Sequence, residues 1–262
     1  MQKVFAIANQ KGGVGKTFLV FHLAHLLLEE GQSVLLVDLD PQGNLSLCFR
    51  KAYTLSEETS CLAARIFEGE TLSPVEIQPG LFLVTADIRL ARYESLSSGV
   101  GVYFKLKQGL AKFFKIQSVD VVLIDCPPSL GLFSLSAFVA SWKVLIPLRT
   151  EIFSISGLAD LLNVTTEIKE NINSSLEVCG LVFNAVNPRT RVAKETLEEL
   201  KQEQDLPILA EVPASVKVEE ALRMGEPVWR HAPGNKLAKA IRREISRVAN
   251  QIISLPPPKE NL

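Results

Sequence analysis

The glycine-rich segment after the first apolar run is the sequence feature that most constrains the fold of this chain. Val4–Ala8 is a short apolar run typical of a buried strand, and Gln10–Thr17 reads QKGGVGKT. An apolar segment of helical length, Phe18–Leu28, follows it. The order strand, glycine-rich loop, helix is that of a phosphate-binding loop, in which backbone N–H groups and the positive end of a helix face phosphate oxygens.

The loop residues have chemical roles in holding a nucleotide. The glycines let consecutive N–H groups turn toward phosphate oxygens, the Lys16 ammonium reaches the β- and γ-phosphates, and the Thr17 hydroxyl ligates Mg²⁺. The usual motif has glycine where this chain has Gln10, and Lys11 is an additional lysine. The alternative is a glycine-rich turn with two solvated lysines. The flanking strand and helix favour nucleotide binding.

Acidic residues follow two later apolar runs. Asp38 ends the run Val34–Asp38, and Asp40 lies two residues beyond it. Asp125 ends the run Val119–Asp125, as in a Walker B strand that holds Mg²⁺. Since open α/β sheets bind ligands at the carboxyl ends of their strands, we expect these acids to lie near the loop.

The nucleotide is predicted to be ATP. Guanine-specific P-loop proteins usually carry the motif Asn-Lys-x-Asp, and the nearest match, Asn235–Ala238, lacks the Asp. ATP and Mg²⁺ are therefore the expected cofactors.

Seven short apolar runs are typical of strands, and several lack alternation, as expected for strands covered on both faces. They are Val4–Ala8, Val34–Asp38, Leu81–Thr85, Val119–Asp125, Val144–Leu148, Val178–Asn184 and Ile208–Val212. Segments with helical spacing alternate with them, which predicts a mostly parallel, twisted sheet with helices on both faces. We expect one α/β domain over residues 1–254 and a flexible, proline-rich tail over residues 255–262.

Composition excludes several protein classes. With 28 Lys and Arg against 29 Asp and Glu in 262 residues, the formal net charge of −1 gives no overall attraction to nucleic acid or anionic lipid. The longest apolar stretch is too short for a transmembrane helix. The four cysteines are far apart, which argues against a disulfide framework or a zinc site and predicts a cytoplasmic protein with reduced thiols.

Four segments together resemble a known family. Lys11–Thr17 (KGGVGKT), Asp38–Asn44 (DLDPQGN) and Ile124–Leu132 (IDCPPSLGL) are similar to motifs of the ParA/Soj-like chromosome and plasmid partition ATPases, which have a deviant Walker A loop. Glu211–Ala221 resembles a further, more diverged block of that family. The first two motifs are highly specific, and the resemblance covers nearly the whole chain.

The resemblance implies roles for particular residues. Lys11 would reach across an ATP-bound homodimer to the partner's nucleotide, Asp40 would orient the attacking water, and Gly12 would be small because two loops meet there. The catalytic residues would be Lys11, Lys16 and Asp40, and the Mg²⁺ residues Thr17, Asp38 and Asp125. The residues expected to contact the nucleotide are Gly12, Gly13, Val14, Gly15, Lys16, Thr17, Phe18, Asn184 and Pro213.

The segment Val228–Ala249 carries six Lys or Arg residues and one Glu. An aliphatic stripe runs along it and just beyond at helical spacing: Leu237, Ile241, Ile245, Val248 and Ile252. Three interpretations stay open, namely a packed helix with a solvated basic face, a DNA-facing side, and a membrane-inserted helix as in MinD-like relatives. The cations expected to contact DNA are Lys239, Arg242 and Arg243 of this segment and, as the resemblance to the partition family implies, Arg189 and Lys217.

The sequence thus predicts an ATP-dependent dimeric switch that binds DNA without sequence preference, hydrolyses ATP slowly and drives chromosome or plasmid partition. The expected partners are a second copy, double-stranded DNA and a ParB-like centromere-binding protein that stimulates hydrolysis, with no stable membrane insertion. Its expected location is the cytoplasm, on the nucleoid. One alternative is a MinD-like membrane-associated regulator of division-site placement. Another is a nucleotide-stabilised scaffold that does not hydrolyse ATP, against which the intact Asp40 argues.

Overall fold

An eight-stranded sheet forms the centre of the molecule. The computed structural model describes residues 2–53, 59–96, 99–149, 155–186 and 206–256. The strands are β1 (Lys3–Ile7), β2 (Val34–Asp38), β3 (Val75–Gln78), β4 (Leu81–Val84), β5 (Val121–Asp125), β6 (Lys143–Leu148), β7 (Glu177–Val186) and β8 (Ile208–Pro213). Their order across the sheet is β3-β4-β2-β5-β1-β6-β7-β8, and every neighbouring pair is parallel except β3 with β4.

Ten α-helices are described alongside the sheet. They are α1 (Lys16–Glu29), α2 (Asn44–Cys48), α3 (Leu62–Glu68), α4 (Arg92–Leu96), α5 (Lys105–Phe113), α6 (Leu132–Ala140), α7 (Ile155–Asn171), α8 (Lys217–Met224), α9 (Val228–His231) and α10 (Lys236–Ser254). Two short 3₁₀ segments, Ile88–Ala91 and Val100–Phe104, precede α4 and α5.

The sheet separates two buried clusters of apolar side chains. On one face the strands pack against α1 and α10, with Phe21 and Ile245 fully buried. On the other face they pack against α3, α5, α6 and α7, with Phe133 and Leu161 buried. The predicted fold class, a mostly parallel α/β sheet with helices on both faces, is therefore confirmed.

Seven of the eight described strands were predicted from their apolar runs, and β3 was missed. Val75–Gln78 is short, includes Glu76 and is only partly buried, because it is an antiparallel edge strand that pairs with β4 alone. A strand of this kind lacks the continuous apolar pattern of strands that are covered on both faces. The predicted boundary between domain and tail is not tested, since residues 257–262 lie outside the described residues.

The position of β1 decides where the functional residues meet. β1 lies between β5 and β6, so strands β2 to β5 lie on one side of β1 and strands β6 to β8 on the other. Ile7 of β1 lies level with Asp125 of β5, and Asp125 in turn lies level with Asp38 of β2. The loop after β1 and the two strand-ending acids are therefore neighbours at one edge of the sheet, where such folds bind ligands.

Helix α10 packs its apolar face onto the protein. Ile241, Ile245, Val248 and Ile252 are fully buried against α1 and the sheet. Leu237, at the same helical spacing in the first turn, is 43% exposed, so the predicted stripe is not buried at its start. In the part of the chain that the structure describes, no helix has the length and apolar character needed to cross a membrane.

Candidate active site

The loop between β1 and α1 is shaped by two glycines in the left-handed region of backbone conformation. Gly13 has φ 72° and Gly15 has φ 97°, values that side chains rarely tolerate. Asn184, from the far end of β7, donates its Nδ2 hydrogen to the Val14 carbonyl at 3.1 Å. A Cβ on Gly15 would lie 1.9 Å from that Nδ2, so Asn184 packs directly against the back of the loop.

Lys16 is folded over the loop and is largely buried. Its Nζ donates to the carbonyl oxygens of Asn9 and Lys11, both at 3.0 Å. Burial lowers the pKa of this ammonium, while Asp125 and Asp40 act in the opposite direction. Among the described residues the Lys16 ammonium hydrogen-bonds to neutral carbonyls, which compensate its charge incompletely, and anionic phosphate oxygens would supply the missing charge.

Asn9 is a loop residue that sequence reasoning missed. Its Nδ2 donates to the Pro147 carbonyl at 2.8 Å, and its Oδ1 accepts from the Lys11 N–H at 2.9 Å. The side chain thereby ties the start of the loop to β6. The only signal in the sequence was an amide immediately before the glycine-rich segment.

Thr17 and Asp125 form the second part of the site. The Thr17 hydroxyl donates to Asp125 Oδ2 at 2.7 Å, and Oδ1 of the same carboxyl is buried with no hydrogen-bond partner among the described residues. Burial, and then the neighbouring Asp38, raise the pKa of Asp125 well above its usual value. A hydroxyl beside an unsatisfied carboxylate oxygen fits Mg²⁺, which takes oxygen ligands and waters.

Asp38 has a different set of partners. Its Oδ1 accepts from the Asp40 N–H at 3.1 Å, and its Oδ2 accepts from the Ser46 N–H at 2.9 Å and the Ser46 hydroxyl at 2.7 Å. Burial raises the pKa of Asp38 to about 7, although these donors stabilise the carboxylate and act in the opposite direction. Both oxygens of Asp38 accept hydrogen bonds from the chain, whereas Asp125 keeps one oxygen without a partner among the described residues. The predicted Mg²⁺ role of Asp38 stays a prediction.

A cleft of about 670 Å³ opens in front of the loop. Lys16, Thr17 and Asp40 line it, and α2 and α8 form its outer wall. Asp40 is mostly buried, and its Oδ1 accepts from the Gln42 N–H at 2.9 Å. This volume is within the range of small-molecule and cofactor sites.

Comparisons with known proteins agree with this geometry. The chain matches the AAA domain family AAA_31 over residues 2–178. It is 33% identical over 245 residues to the sporulation initiation inhibitor protein Soj of Bacillus subtilis, covering 91% of this chain and 95% of that protein. It is also 33% identical over 230 residues to the chromosome partitioning protein ParA of Caulobacter vibrioides, covering 86% of each. The chain belongs to the ParA/Soj-like branch of the ParA/MinD superfamily of ATPases.

A solved structure shows which ligands this fold holds. Cobyrinic acid a,c-diamide synthase from Mycobacterium smegmatis, solved with bound ADP and magnesium, has a TM-score of 0.79 to this chain. The two are 30% identical, and the likeness covers 97% of this chain and 96% of that one. Nucleotide and Mg²⁺ binding therefore occurs in the fold of this ParA-like protein.

The structure brings together most of the residues predicted to contact nucleotide. Those that line the cleft are Gly12, Gly13, Gly15, Lys16, Thr17 and Phe18. Val14 is buried and Asn184 lies behind the loop. Pro213 ends β8, level with Val186 of β7, and is not part of the cleft wall.

The cations predicted to contact DNA have acidic neighbours in this ParA-like chain. Lys217 pairs with Glu220 at 2.8 Å, Arg242 pairs with Glu29 at 3.0 Å, and Arg243 pairs with Glu244 at 3.2 Å. Lys239 is exposed, with no ion-pair partner in the described parts of the chain. Arg189 lies outside the described residues.

The raised pKa of Asp125 makes the stability of the nucleotide-free protein depend on pH. Because Asp125 keeps its proton in the folded state at pH values where it is ionised in the unfolded state, stability falls as pH rises above the ordinary aspartate pKa. Asp125→Asn cannot ionise and keeps an oxygen for Thr17. We expect this variant to unfold at a higher temperature than the wild type at pH 8, with the difference shrinking as the pH is lowered toward 5.

Thermal denaturation without nucleotide, across this pH range, measures the effect. Asp160→Asn, an exposed substitution on α7, is the control and should follow the wild type. Parallel curves for Asp125→Asn and wild type would contradict the assignment. In the same assay, Mg²⁺–ATP should stabilise the wild type more than Asp125→Asn.

Proposed function

We propose that this protein is an ATP-hydrolysing switch that dimerises with ATP, binds DNA without sequence preference and partitions chromosome or plasmid DNA. One observation carries the proposal. Lys16, Thr17 and Asp40 line the same cleft, and Asp125 adjoins it through its bond to Thr17. Hydrolysis is proposed to be slow alone and stimulated by a ParB-like centromere-binding protein, because relatives of this chain include chromosome partitioning proteins.

Each group in the cleft has a proposed task. Lys16 holds the β- and γ-phosphates, and Thr17 and Asp125 hold Mg²⁺ with support from Asp38 on the neighbouring strand. Asp40 accepts a hydrogen bond from the attacking water and so orients it toward phosphorus. Lys11 neutralises charge on the nucleotide of the partner protomer, in the manner of an arginine finger supplied in trans.

The variant Asp40→Ala should distinguish the residues that bind ATP from those that hydrolyse it. The phosphate loop and the Thr17–Asp125 pair do not depend on the Asp40 side chain. We therefore expect this variant to bind ATP within about twofold of the wild type and to lose hydrolysis by about 100-fold or more, as general-base and water-orienting groups typically contribute. Single-turnover hydrolysis and fluorescent-nucleotide titration measure the two effects.

The control is Glu76→Ala, which removes an acid from the β3 edge, and it should behave as wild type. Normal turnover in Asp40→Ala would contradict the proposed role. Absence of turnover in the wild type, with ATP still bound, would favour the non-hydrolysing scaffold.

A substitution at Gly12 tests the proposed homodimer. A Cβ on Gly12 meets nothing within 4 Å in the protomer, so a larger residue is accommodated there unless a second molecule approaches. Gly12→Val should fold and bind ATP, yet remain monomeric with Mg²⁺–ATP under conditions in which the wild type dimerises. Analytical ultracentrifugation with ATP and with ADP measures the oligomeric state.

Gly234→Val is the matched control, because a Cβ on Gly234 also meets nothing within 4 Å. It should dimerise like the wild type. ATP-dependent dimers of Gly12→Val with the wild-type dissociation constant would contradict the proposal that two phosphate loops meet.

DNA is favoured over membrane because the apolar face of α10 is already buried. Insertion of that face into a bilayer would first require removing it from α1 and the sheet. Lys239 is exposed on the outer face of α10, and a dimer presents two copies. Neutralising more phosphates strengthens binding and steepens its salt dependence, so dimerisation would promote DNA binding. Lys217, Arg242, Arg243 and Arg189 remain proposed contacts.

Lys239→Glu should weaken DNA binding in the ATP state. Each lost phosphate contact lowers the slope of log affinity against log salt by about 1, hence by about 2 for a dimer. Fluorescence anisotropy with random duplex DNA, at several salt concentrations and with Mg²⁺–ATP or ADP, measures this slope. Lys112→Glu, which alters an exposed lysine of α5 on the opposite face, should leave it unchanged.

Co-sedimentation with anionic liposomes distinguishes the second candidate function. ATP-dependent DNA binding without liposome binding supports partition. Liposome binding with ATP and no DNA binding would instead indicate a MinD-like, membrane-associated ATPase.

A further inference from the structure

We propose that Ser46 is a positioning residue for ATP hydrolysis, which holds the Asp40 loop against the end of β4 through Asp38. This inference rests on the proposed function, in which Asp40 orients the attacking water. It assigns a role to a residue of α2 whose side-chain hydrogen bonds, among the described residues, are to Asp38 and Ala86 and not to the phosphate loop.

With Asp38 ionised, the hydrogen bonds of the Ser46 side chain run in one direction. Its Oγ accepts from the Ala86 N–H at 2.9 Å, just beyond β4, and a backbone N–H can only donate. The single hydroxyl proton is therefore available for Asp38 Oδ2, 2.7 Å away. The Ser46 N–H donates to the same oxygen at 2.9 Å. Ser46 is almost fully buried, so water does not compete for these bonds.

The Asp38 carboxylate also hydrogen-bonds to the backbone of Asp40. Its second oxygen, Oδ1, accepts from the Asp40 N–H at 3.1 Å. The Asp40 carbonyl in turn accepts from the Gly43 N–H at 2.8 Å, which closes the turn between β2 and α2. A continuous chain of hydrogen bonds thus leads from Ala86 through Ser46 and Asp38 to the backbone of Asp40.

Gly43 provides an independent contact between the same turn and the end of β4. It adopts φ 62°, and a Cβ there would lie 2.5 Å from the Ala86 carbonyl oxygen. Ala86 therefore touches the turn on two sides, through its N–H to Ser46 and through its carbonyl against Gly43. The position of Asp40 in the cleft depends on this double contact, whereas Lys16 and Thr17 are held by other parts of the chain.

Because Asp40 is held by different contacts from Lys16 and Thr17, loss of the Ser46 hydroxyl should lower the hydrolysis rate without weakening nucleotide binding. Ser46→Ala leaves Ala86 N–H without its acceptor and Asp38 Oδ2 with one donor fewer, which loosens the turn. Because a displacement of about 1 Å at a catalytic group costs about 100-fold, we expect a 10- to 100-fold fall in the single-turnover rate. The dissociation constant for Mg²⁺–ATP should stay within about twofold of the wild type.

Two further variants control for a merely structural effect. Ser46→Thr retains the hydroxyl and should restore the rate to within about threefold of the wild type. Ser136→Ala removes another buried serine hydroxyl, on α6, which has no partner among the described residues. It should leave both rate and affinity unchanged.

The experiment is single-turnover hydrolysis of radiolabelled ATP with Mg²⁺, together with nucleotide titration of each full-length variant. A wild-type rate in Ser46→Ala, or a loss of ATP affinity that accounts for the whole fall in rate, would overturn the proposal. If Ser46→Ala does not fold, a folded Ser46→Thr with a 10-fold or larger loss of rate would overturn it. Failure of the wild type to hydrolyse ATP would instead overturn the proposed function itself.

Discussion

Burial of ionisable groups at the carboxyl ends of adjacent parallel strands is the constraint on which this site depends. Asp38 and Asp125 lie level on neighbouring strands and are almost inaccessible to water, and the largely buried Lys16 lies close enough to attract Asp125. Charges in such an environment are destabilising unless they are paired and hydrogen-bonded. Here the pairing within the chain is incomplete, so binding of a divalent cation and a polyphosphate would stabilise the folded state. The buried, incompletely paired residues that lower the stability of the nucleotide-free protein would thus favour the binding of nucleotide and Mg²⁺.

The sequence predicted the parts of this arrangement that depend on local pattern. A glycine-rich loop between strand and helix is typical of a phosphate site, and parallel strands that end in acids bring those acids together at one edge of the sheet. The missed parts depend on partners far along the chain. Asn9 bonds to a carbonyl 138 residues away, and the Ser46 hydroxyl is paired with an N–H 40 residues away. Such pairings follow from the order of strands, which no local pattern specifies.

The charge of the surface around helix α10 also could not be predicted from local sequence, because it depends on ion pairs with distant residues. Counting along the segment gives six cations against one acid, yet Glu29 of α1 accepts hydrogen bonds from both Arg230 and Arg242. The apolar face was predicted well because periodicity is local, whereas the pairing of Arg230 and Arg242 with Glu29 depends on a helix about 200 residues earlier. The cationic character of this face is therefore weaker than the sequence suggested, and the exposed Lys239 gains importance in any electrostatic contact.

The two strand-ending acids look alike in sequence, but the residues after them give them different chemistry. After Asp38 the chain turns back over the carboxylate, and the N–H groups of Asp40 and Ser46 satisfy it. After Asp125 come Cys126 and then Pro127 and Pro128, and proline has no N–H to donate. The chain thus leaves one oxygen of Asp125 for a ligand while it commits both oxygens of Asp38 to holding the Asp40 turn. Two acids at level positions on neighbouring strands therefore differ in their hydrogen bonding: among the described residues, the chain engages both oxygens of Asp38 and leaves one oxygen of Asp125 without a partner.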